Sequence, residues 1–217
     1  MLYVVSTPIG NLDDITLRAL EILKKVDIIA CEDTRHTKIL LAKYDINSRL
    51  VSYHQHSGEA KSAQIINSLE NGEDVALVTD AGTPGISDPG SKLISEVLKA
   101  GIEVTPIPGP TAFTPALSIS GFDTSEFVFI GFLPHKKGRQ TKLKEIESEK
   151  RTVVLYESVH RIKKLLRELG ETIPDREICV TRELTKKFEE IYRGKPGEVE
   201  VKVKEKGEFV VVIEGKK

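Results

Sequence analysis

The stretch Thr79-Asp80-Ala81-Gly82-Thr83-Pro84-Gly85-Ile86-Ser87-Asp88-Pro89-Gly90 follows an apolar run at 75–78 and precedes a helical segment from 91. A loop with three glycines and two prolines after a buried strand brings bare backbone close to another group, because glycine alone permits that approach without steric cost. In open α/β folds, ligands bind beyond the carboxyl ends of the strands. A plain strand-to-helix turn needs only about 2–6 residues. The stretch therefore predicts a ligand-binding loop.

Apolar strand-like runs alternate with amphipathic helical segments on both sides of this loop. This alternation is typical of a mostly parallel sheet with helices on both faces. The predicted strands are 2–7, 27–31, 50–54, 75–79 and 103–107, and the predicted helices are 16–26, 34–44, 60–70 and 91–100.

A polar, glycine-containing segment at 118–126 separates this pattern from a different one. We therefore predict an N-terminal α/β domain at 1–118 and a smaller, mixed α/β domain at 119–217. Its alternating stretch 199–204 predicts a hairpin strand. The remaining predicted elements are strands at 127–133, 152–156, 178–181 and 209–213, and helices at 142–150 and 161–169, the latter ended by Gly170.

The composition excludes several classes of protein. The chain has 217 residues, a net charge of −1 and no apolar stretch long enough to span a membrane. With no charged leader before its first strand, it is expected to be cytoplasmic and to have no membrane partner. Cys31 and Cys179 stand alone, so neither a disulfide nor a metal site is predicted. The charge balance argues against binding of free nucleic acid by electrostatics alone, and DNA is not an expected partner.

A second glycine-proline loop, Pro106-Ile107-Pro108-Gly109-Pro110-Thr111-Ala112, follows the fifth predicted strand. Neither loop contains Lys or Arg, and the dinucleotide and phosphate-loop motifs are absent from the chain. A polyphosphate would find no balancing positive charge there, whereas a neutral or cationic ligand suits such a site. The sulfonium compound S-adenosylmethionine is one such ligand.

Six separated blocks of sequence together resemble the ribosomal RNA small subunit methyltransferase I family. They lie at 6–14, 31–35, 79–90, 108–112, 156–161 and 181–186. The resemblance implies the tetrapyrrole methylase fold, with two α/β domains and the cofactor cleft between them. It also implies a homodimer that uses S-adenosylmethionine to methylate the 2′-hydroxyl of a cytidine. That cytidine lies in the decoding region of 16S rRNA, within the small ribosomal subunit.

Carried over by position, the resemblance implies a set of cofactor-binding residues. Those in the first domain are Asp80, Ala81, Gly82, Thr83, Ile86, Thr111 and Ala112, and those in the second are Glu157 and Leu184. The candidates to orient or deprotonate the ribose hydroxyl are Glu157, Glu183 and Lys186, and the sequence does not choose among them. The expected rRNA contacts are Arg35, Arg139, Arg161 and Arg182, with structural ion pairing as the alternative.

Two other functions fit parts of the pattern. One is a tetrapyrrole C-methyltransferase of the same fold, against which the blocks at 31–35 and 156–161 argue. The other is a non-catalytic module that binds S-adenosylmethionine or a nucleotide. Many relatives carry a small extra C-terminal domain beyond the position that matches Lys217, and any substrate contacts from it are expected to be absent or replaced here.

Overall fold

The computed structural model describes residues 1–54 and 57–217. The chain divides into two compact units, Met1–Thr111 and Ala112–Lys217, so the boundary lies earlier than the predicted 118/119. The helix Phe113–Ser118 accounts for the difference, because it packs against strands of the second unit. Its first residue, Phe113, stacks on Phe129 with ring centroids 4.8 Å apart.

The first unit is a five-stranded, fully parallel sheet in the order β3-β2-β4-β1-β5. The predicted alternation of strands and helices is confirmed. The elements are β1 (Leu2–Val5), a 3-10 turn (Leu12–Asp14), α1 (Leu17–Lys25), β2 (Ile28–Cys31), α2 (Thr34–Lys43), β3 (Arg49–Ser52), α3 (Glu59–Glu70), β4 (Val75–Leu77), α4 (Ser91–Lys99) and β5 (Val104–Ile107).

Both faces of this sheet are covered, because its strands direct successive apolar side chains to opposite sides. Tyr3 joins a core cluster with Leu23 of α1, whereas Leu2 joins a second cluster with Leu93 of α4. Because the strands are parallel, their carboxyl ends lie at one edge of the sheet, and the loops that follow the strands are located there.

The second unit is a mixed sheet in the order β6-β7-β10-β8-β9, in which β6 runs parallel to β7 and the other pairs are antiparallel. A single large apolar cluster packs three of its four helices against the sheet, and the short helix Phe113–Ser118 contributes no side chain to it. The elements are α5 (Phe113–Ser118), β6 (Phe127–Phe132), α6 (Arg139–Ser148), β7 (Thr152–Ser158), α7 (Ile162–Thr172), β8 (Ile178–Arg182), β9 (Glu190–Gly194), α8 (Pro196–Lys202) and β10 (Glu208–Ile213).

Two sequence-based assignments in this unit are corrected, and two elements are additional to those predicted. The predicted hairpin strand at 199–204 is wrong, because α8 occupies most of it. Val199 and Val203, four positions apart, are buried while Val201 is 79% exposed, which is helical spacing. Helix α7 continues past Gly170, which packs closely against Gly197. Strand β9 and helix α5 were not predicted.

Candidate functional site

Three loops meet at the carboxyl edge of the first sheet. Thr7, just after β1, and Gly82, in the loop after β4, form a two-way backbone bridge. The Thr7 N–H donates to the Gly82 carbonyl at 2.9 Å, and the Gly82 N–H donates to the Thr7 carbonyl at 3.0 Å. Gly82 adopts φ +91°, a conformation that L side chains rarely take. The first glycine of the predicted ligand loop is thus fixed in position.

Side-chain hydroxyls tie the same loops together. The hydroxyls of Ser6 and Thr83 lie 2.8 Å apart, and the Thr83 hydroxyl donates to the carbonyl of Pro110 at 3.2 Å. The Thr7 hydroxyl donates to the carbonyl of Thr79 at 3.0 Å. Ser6 and Thr7 are buried, and sequence reasoning gave them no role. Their place directly after β1, opposite the glycine-rich loop, is the signal that could have identified them.

We expect Thr7→Val to weaken ligand binding at this edge about tenfold and to lower the free energy of unfolding by about 1–2 kcal/mol, because it leaves a buried carbonyl without its donor. Thr7→Ser keeps the hydroxyl and should restore most of the affinity. Thr181→Val is a matched control, since the buried Thr181 hydroxyl has no hydrogen-bond partner in the described chain. Calorimetry and thermal unfolding measure both effects, and equal affinity losses for Thr7→Val and Thr181→Val would contradict the expectation.

Acidic groups gather beside these loops. An oxygen of the Asp80 carboxylate accepts a hydrogen bond from the Asp33 N–H at 3.1 Å. Burial raises the pKa of Glu32, and the negative charge of Asp80 raises it further. Of the other predicted cofactor residues, Ala81 and Ile86 are exposed and Thr111 and Ala112 are half-buried. The edge therefore offers backbone groups and negative charge, which suits a cationic ligand.

In the second unit, Glu157 near the end of β7 is almost fully buried. One of its carboxylate oxygens pairs with Arg161 at 2.8 Å and accepts the Ser158 N–H at 2.8 Å. The other oxygen lies 3.8 Å from Arg139 and has no hydrogen-bond partner among the described residues. Glu157 is therefore the centre of a buried ion-pair network.

Two of the predicted rRNA contacts belong to this network. Arg139 is only 3% exposed and binds both carboxylate oxygens of Glu168, at 2.6 and 3.1 Å. The phosphate contact predicted for Arg139 is therefore corrected, because its guanidinium is directed into the core. Arg161 is mostly buried as well, and it donates to the carbonyl of Leu133 at 2.9 Å.

Arg182 is corrected in the same way. It is 4% exposed and pairs with Glu190 at 2.9 Å, donates to the carbonyl of Phe188 at 3.0 Å and also contacts the carbonyl of Lys206. The alternative of structural ion pairing thus describes its place in the structure. Of the four predicted arginines, Arg35 is the accessible one, with its side chain 90% exposed.

We expect Arg182→Ala to lower the free energy of unfolding by about 2 kcal/mol, because it leaves the carbonyl oxygens of Phe188 and Lys206 without their donor, whereas Glu190 keeps its contacts with Lys204 and Tyr192. Arg35→Ala is the comparison variant and should leave stability nearly unchanged, since exposed ion pairs contribute little. Denaturant unfolding of both variants measures the difference, and similar stabilities would show that the Arg182 contacts are weak.

The loop after β8 carries the other two catalytic candidates in an unusual backbone conformation. Glu183 and Thr185, neither a glycine, adopt φ +52° and +66°. The Glu183 carboxylate accepts the Glu208 N–H at 3.0 Å and also pairs with the Lys186 ammonium at 3.0 Å. A side chain at Gly207 would overlap Glu183. Left-handed non-glycine residues persist only where surrounding contacts fix them, and they are common at functional sites.

Hydrogen bonds set the charges of this pair. Burial alone would raise the pKa of Glu183, but hydrogen bonds from Lys186 and the Glu208 N–H lower it below the ordinary 4.5. Burial alone would lower the pKa of Lys186, but hydrogen bonds to Glu208 and Glu183 raise it above the ordinary 10.5. Both side chains are therefore charged at neutral pH. Leu184, between them, is 9% exposed.

Comparison with known proteins decides the family. The profile of the tetrapyrrole (corrin/porphyrin) methylases matches residues 1–200. A Thermotoga maritima protein named ribosomal RNA small subunit methyltransferase I is 46% identical, over 99% of this chain and 98% of its own length. Its namesake from Escherichia coli O157:H7 is 48% identical, over 100% of this chain and 78% of its own length. The chain belongs to the ribosomal RNA small subunit methyltransferase I family.

Solved structures that share the fold of this methyltransferase family are more distant in sequence. Diphthine synthase aligns with a TM-score of 0.77 at 16% identity, over 98% of this chain and 89% of its own. Cobalt precorrin-4 methyltransferase aligns with a TM-score of 0.74 at 18% identity, over 98% and 94%. These similarities confirm the tetrapyrrole methylase fold. No helix in the described part of the chain has the length and apolar character to cross a membrane.

Proposed function

We propose that this chain transfers a methyl group from S-adenosylmethionine to the 2′-hydroxyl of a cytidine in the decoding region of small-subunit 16S rRNA. The observation that carries the activity is the 46–48% identity, over nearly the whole chain, to proteins named ribosomal RNA small subunit methyltransferase I. The same identity favours rRNA over a tetrapyrrole as the substrate. The choice of cytidine and of the 2′-oxygen rests on the resemblance of the sequence blocks.

The loop edge of the first unit suits this cofactor. The loops at 79–90 and 106–112 contain no Lys or Arg, and Asp80 places a carboxylate at the start of the first. S-adenosylmethionine supplies an electrophilic methyl group on a positively charged sulfur. We assign its binding in this unit to Asp80, Ala81, Gly82, Thr83, Ile86 and Thr111. The roles of Ala112, Glu157 and Leu184 stay predictions.

Among the three catalytic candidates, Lys186 is our choice for the group that acts on the ribose hydroxyl. Its raised pKa keeps it protonated, so it serves as a hydrogen-bond donor and positive charge rather than as a base. A fixed positive charge stabilises the negative charge that develops on the attacking oxygen. Glu183 is then a positioning residue that holds the ammonium group. Glu157 is enclosed by Arg139 and Arg161 and is less available to a substrate.

Transfer of tritiated methyl groups tests the proposal. Purified protein is incubated with labelled S-adenosylmethionine and with small ribosomal subunits, naked 16S rRNA or uroporphyrinogen. We expect label in the subunits, and alkaline digestion should leave it in a resistant dinucleotide, because a 2′-O-methyl group blocks cleavage of the adjacent phosphodiester. Label in a base would contradict 2′-O transfer, label in uroporphyrinogen would support the tetrapyrrole alternative, and no transfer would support the binding module.

We further propose that the protein is a cytoplasmic homodimer. Several large aliphatic side chains of the first unit stay exposed, including Leu17 at 81%, Ile39 at 61% and Leu98 at 57%. A symmetric pairing of two copies would cover such side chains. Light scattering at micromolar concentration should give twice the 24.1 kDa mass of the chain, and the mass of one chain would contradict the proposal.

A further inference from the structure

Phe188 presents an aromatic ring to solvent in the loop between β8 and β9. Its exposed fraction is 62%, although most large apolar side chains of the unit are in the core. The ammonium of Lys187 lies 5.7 Å from the centre of the ring. An aromatic face beside a cation is the combination that binds single-stranded nucleic acid, because a base stacks on the ring and the cation neutralises phosphate.

The backbone beneath this ring is fixed. Buried Arg182 donates to the carbonyl of Phe188 itself and to the carbonyl of Lys206, so one guanidinium joins two loops. The Thr185 N–H donates to the Glu189 carboxylate at 2.7 Å, which draws that acidic group back toward the loop. A ring on a fixed backbone loses little conformational freedom when a ligand stacks on it.

The loop also contains two of the three catalytic candidates, Glu183 and Lys186. Lys186 lies two positions before Phe188. The two residues with positive φ, Glu183 and Thr185, lie three positions and one position before Lys186. Exposed Lys187 and Lys206 add positive charge on the two loops that Arg182 joins. The same loops also carry the exposed carboxylates Glu189 and Glu205. The case for an RNA partner therefore rests on the exposed ring together with the Lys187 ammonium beside it.

We propose that Phe188 is a stacking platform for a nucleobase of the rRNA substrate, with Lys187 contacting the adjoining phosphate. This inference rests on the proposed function and assigns a substrate contact to a residue outside the predicted site. Arg182, which the sequence predicts as a phosphate contact, then has an indirect role. It is a positioning residue that holds the backbone of Phe188.

A fluorescence experiment tests the stacking directly. The chain contains no tryptophan, so Phe188→Trp introduces a single reporter. Val201→Trp is the matched control, because Val201 lies in the same unit and is 79% exposed. Addition of small ribosomal subunits should quench the indole of Phe188→Trp strongly and that of Val201→Trp weakly. Equal quenching of both, or of neither, would overturn the proposal.

Kinetics provide an independent test. Phe188→Leu keeps an apolar side chain without an aromatic face and should raise KM for small subunits about tenfold, whereas Phe188→Tyr should stay within about twofold of the parent. Affinity for S-adenosylmethionine and the melting temperature should not change in either. Equal KM values for Phe188→Leu and Phe188→Tyr would contradict stacking. Conversion of either variant to a monomer would instead assign Phe188 to a subunit interface.

Methylation by the parent protein distinguishes an error in the proposed function from an error in the stacking proposal. If the parent fails to methylate small subunits, the proposed function is wrong. If the parent methylates them and Phe188→Leu does so with unchanged KM, the function stands and the stacking platform alone is wrong.

Discussion

Replacement of Lys186 by methionine is expected to lower kcat for methylation of small subunits by about 10²–10³-fold, the usual cost of removing one donor to a developing oxyanion. The ammonium group is held at 3.0 Å from Glu183 and 2.6 Å from Glu208, so its position is fixed before substrate binds. Methionine has a similar shape and no charge. The expected loss is therefore in kcat, with affinity for S-adenosylmethionine unchanged.

Single-turnover methylation with tritiated S-adenosylmethionine measures this effect. Lys195→Met is the matched control, because Lys195 pairs with Asp175 at 2.8 Å in the same unit but outside the β8–β9 loop. The control should keep the parental rate. A Lys186→Met variant with an unchanged rate would remove Lys186 from the mechanism, and a loss shared with Lys195→Met would point to a general effect of charge.

The protonation state of Lys186 gives a further discrimination. Because its pKa is raised above 10.5 and that of Glu183 is lowered below 4.5, the pair keeps both charges from about pH 6 to 9. Lys186→Arg retains a cation that cannot act as a base, so it should keep much of the parental rate across this range. If Lys186 were the base, Lys186→Arg would be as inactive as Lys186→Met.

Gly82→Val should weaken S-adenosylmethionine binding by about 100-fold, which corresponds to about 2.7 kcal/mol. At φ +91° a β-branched residue is strained, and relief by backbone rotation would break both hydrogen bonds to Thr7. The Cβ itself would lie 3.6 Å from Ile9 and 3.8 Å from the Pro110 carbonyl, so the two γ-methyl groups would have to displace a neighbouring loop.

Gly72→Val provides the matched control for backbone strain. Gly72 adopts φ +86° in the same unit, and a Cβ there would meet nothing within 4 Å. Both variants should lose stability, but only Gly82→Val should lose cofactor affinity by calorimetry. Unchanged affinity in Gly82→Val would remove this loop from the cofactor site.

The first unit was predictable because each of its first four strands is a short, largely apolar run followed by a helix with regular spacing. The elements of the second unit were harder to predict. Val199, Val201 and Val203 alternate with charged residues as a strand would, and only tertiary packing shows that Val201 faces solvent while the other two pack inward. Strand β9, with Ile191 and Tyr192 among charged residues, lacks the apolar run that marks a strand.

The candidate site shows the same limit. The glycine-rich loop stands out in the sequence because its residue types are unusual. Arg139 and Arg182 lie in basic stretches, which are typical of an exposed surface. Arg139 is buried because it pairs with Glu168, which is distant in the sequence. Arg182 pairs with Glu190 on the neighbouring strand, and neither pairing can be recognised from the local sequence. The hydroxyl contacts of Ser6 and Thr7 likewise depend on residues more than seventy positions away.

Strand β10 lies at the centre of the second sheet, between β7 and β8, although it follows every other strand in the sequence. During synthesis from the amino terminus, the ribosome releases β6 to β9 before the strand that joins them. The last strand of the first unit ends at residue 107, so this unit can fold while the second unit still lacks its central strand. The second unit must therefore remain incomplete until residues 208–213 emerge, and its apolar strands are exposed to aggregation during that interval.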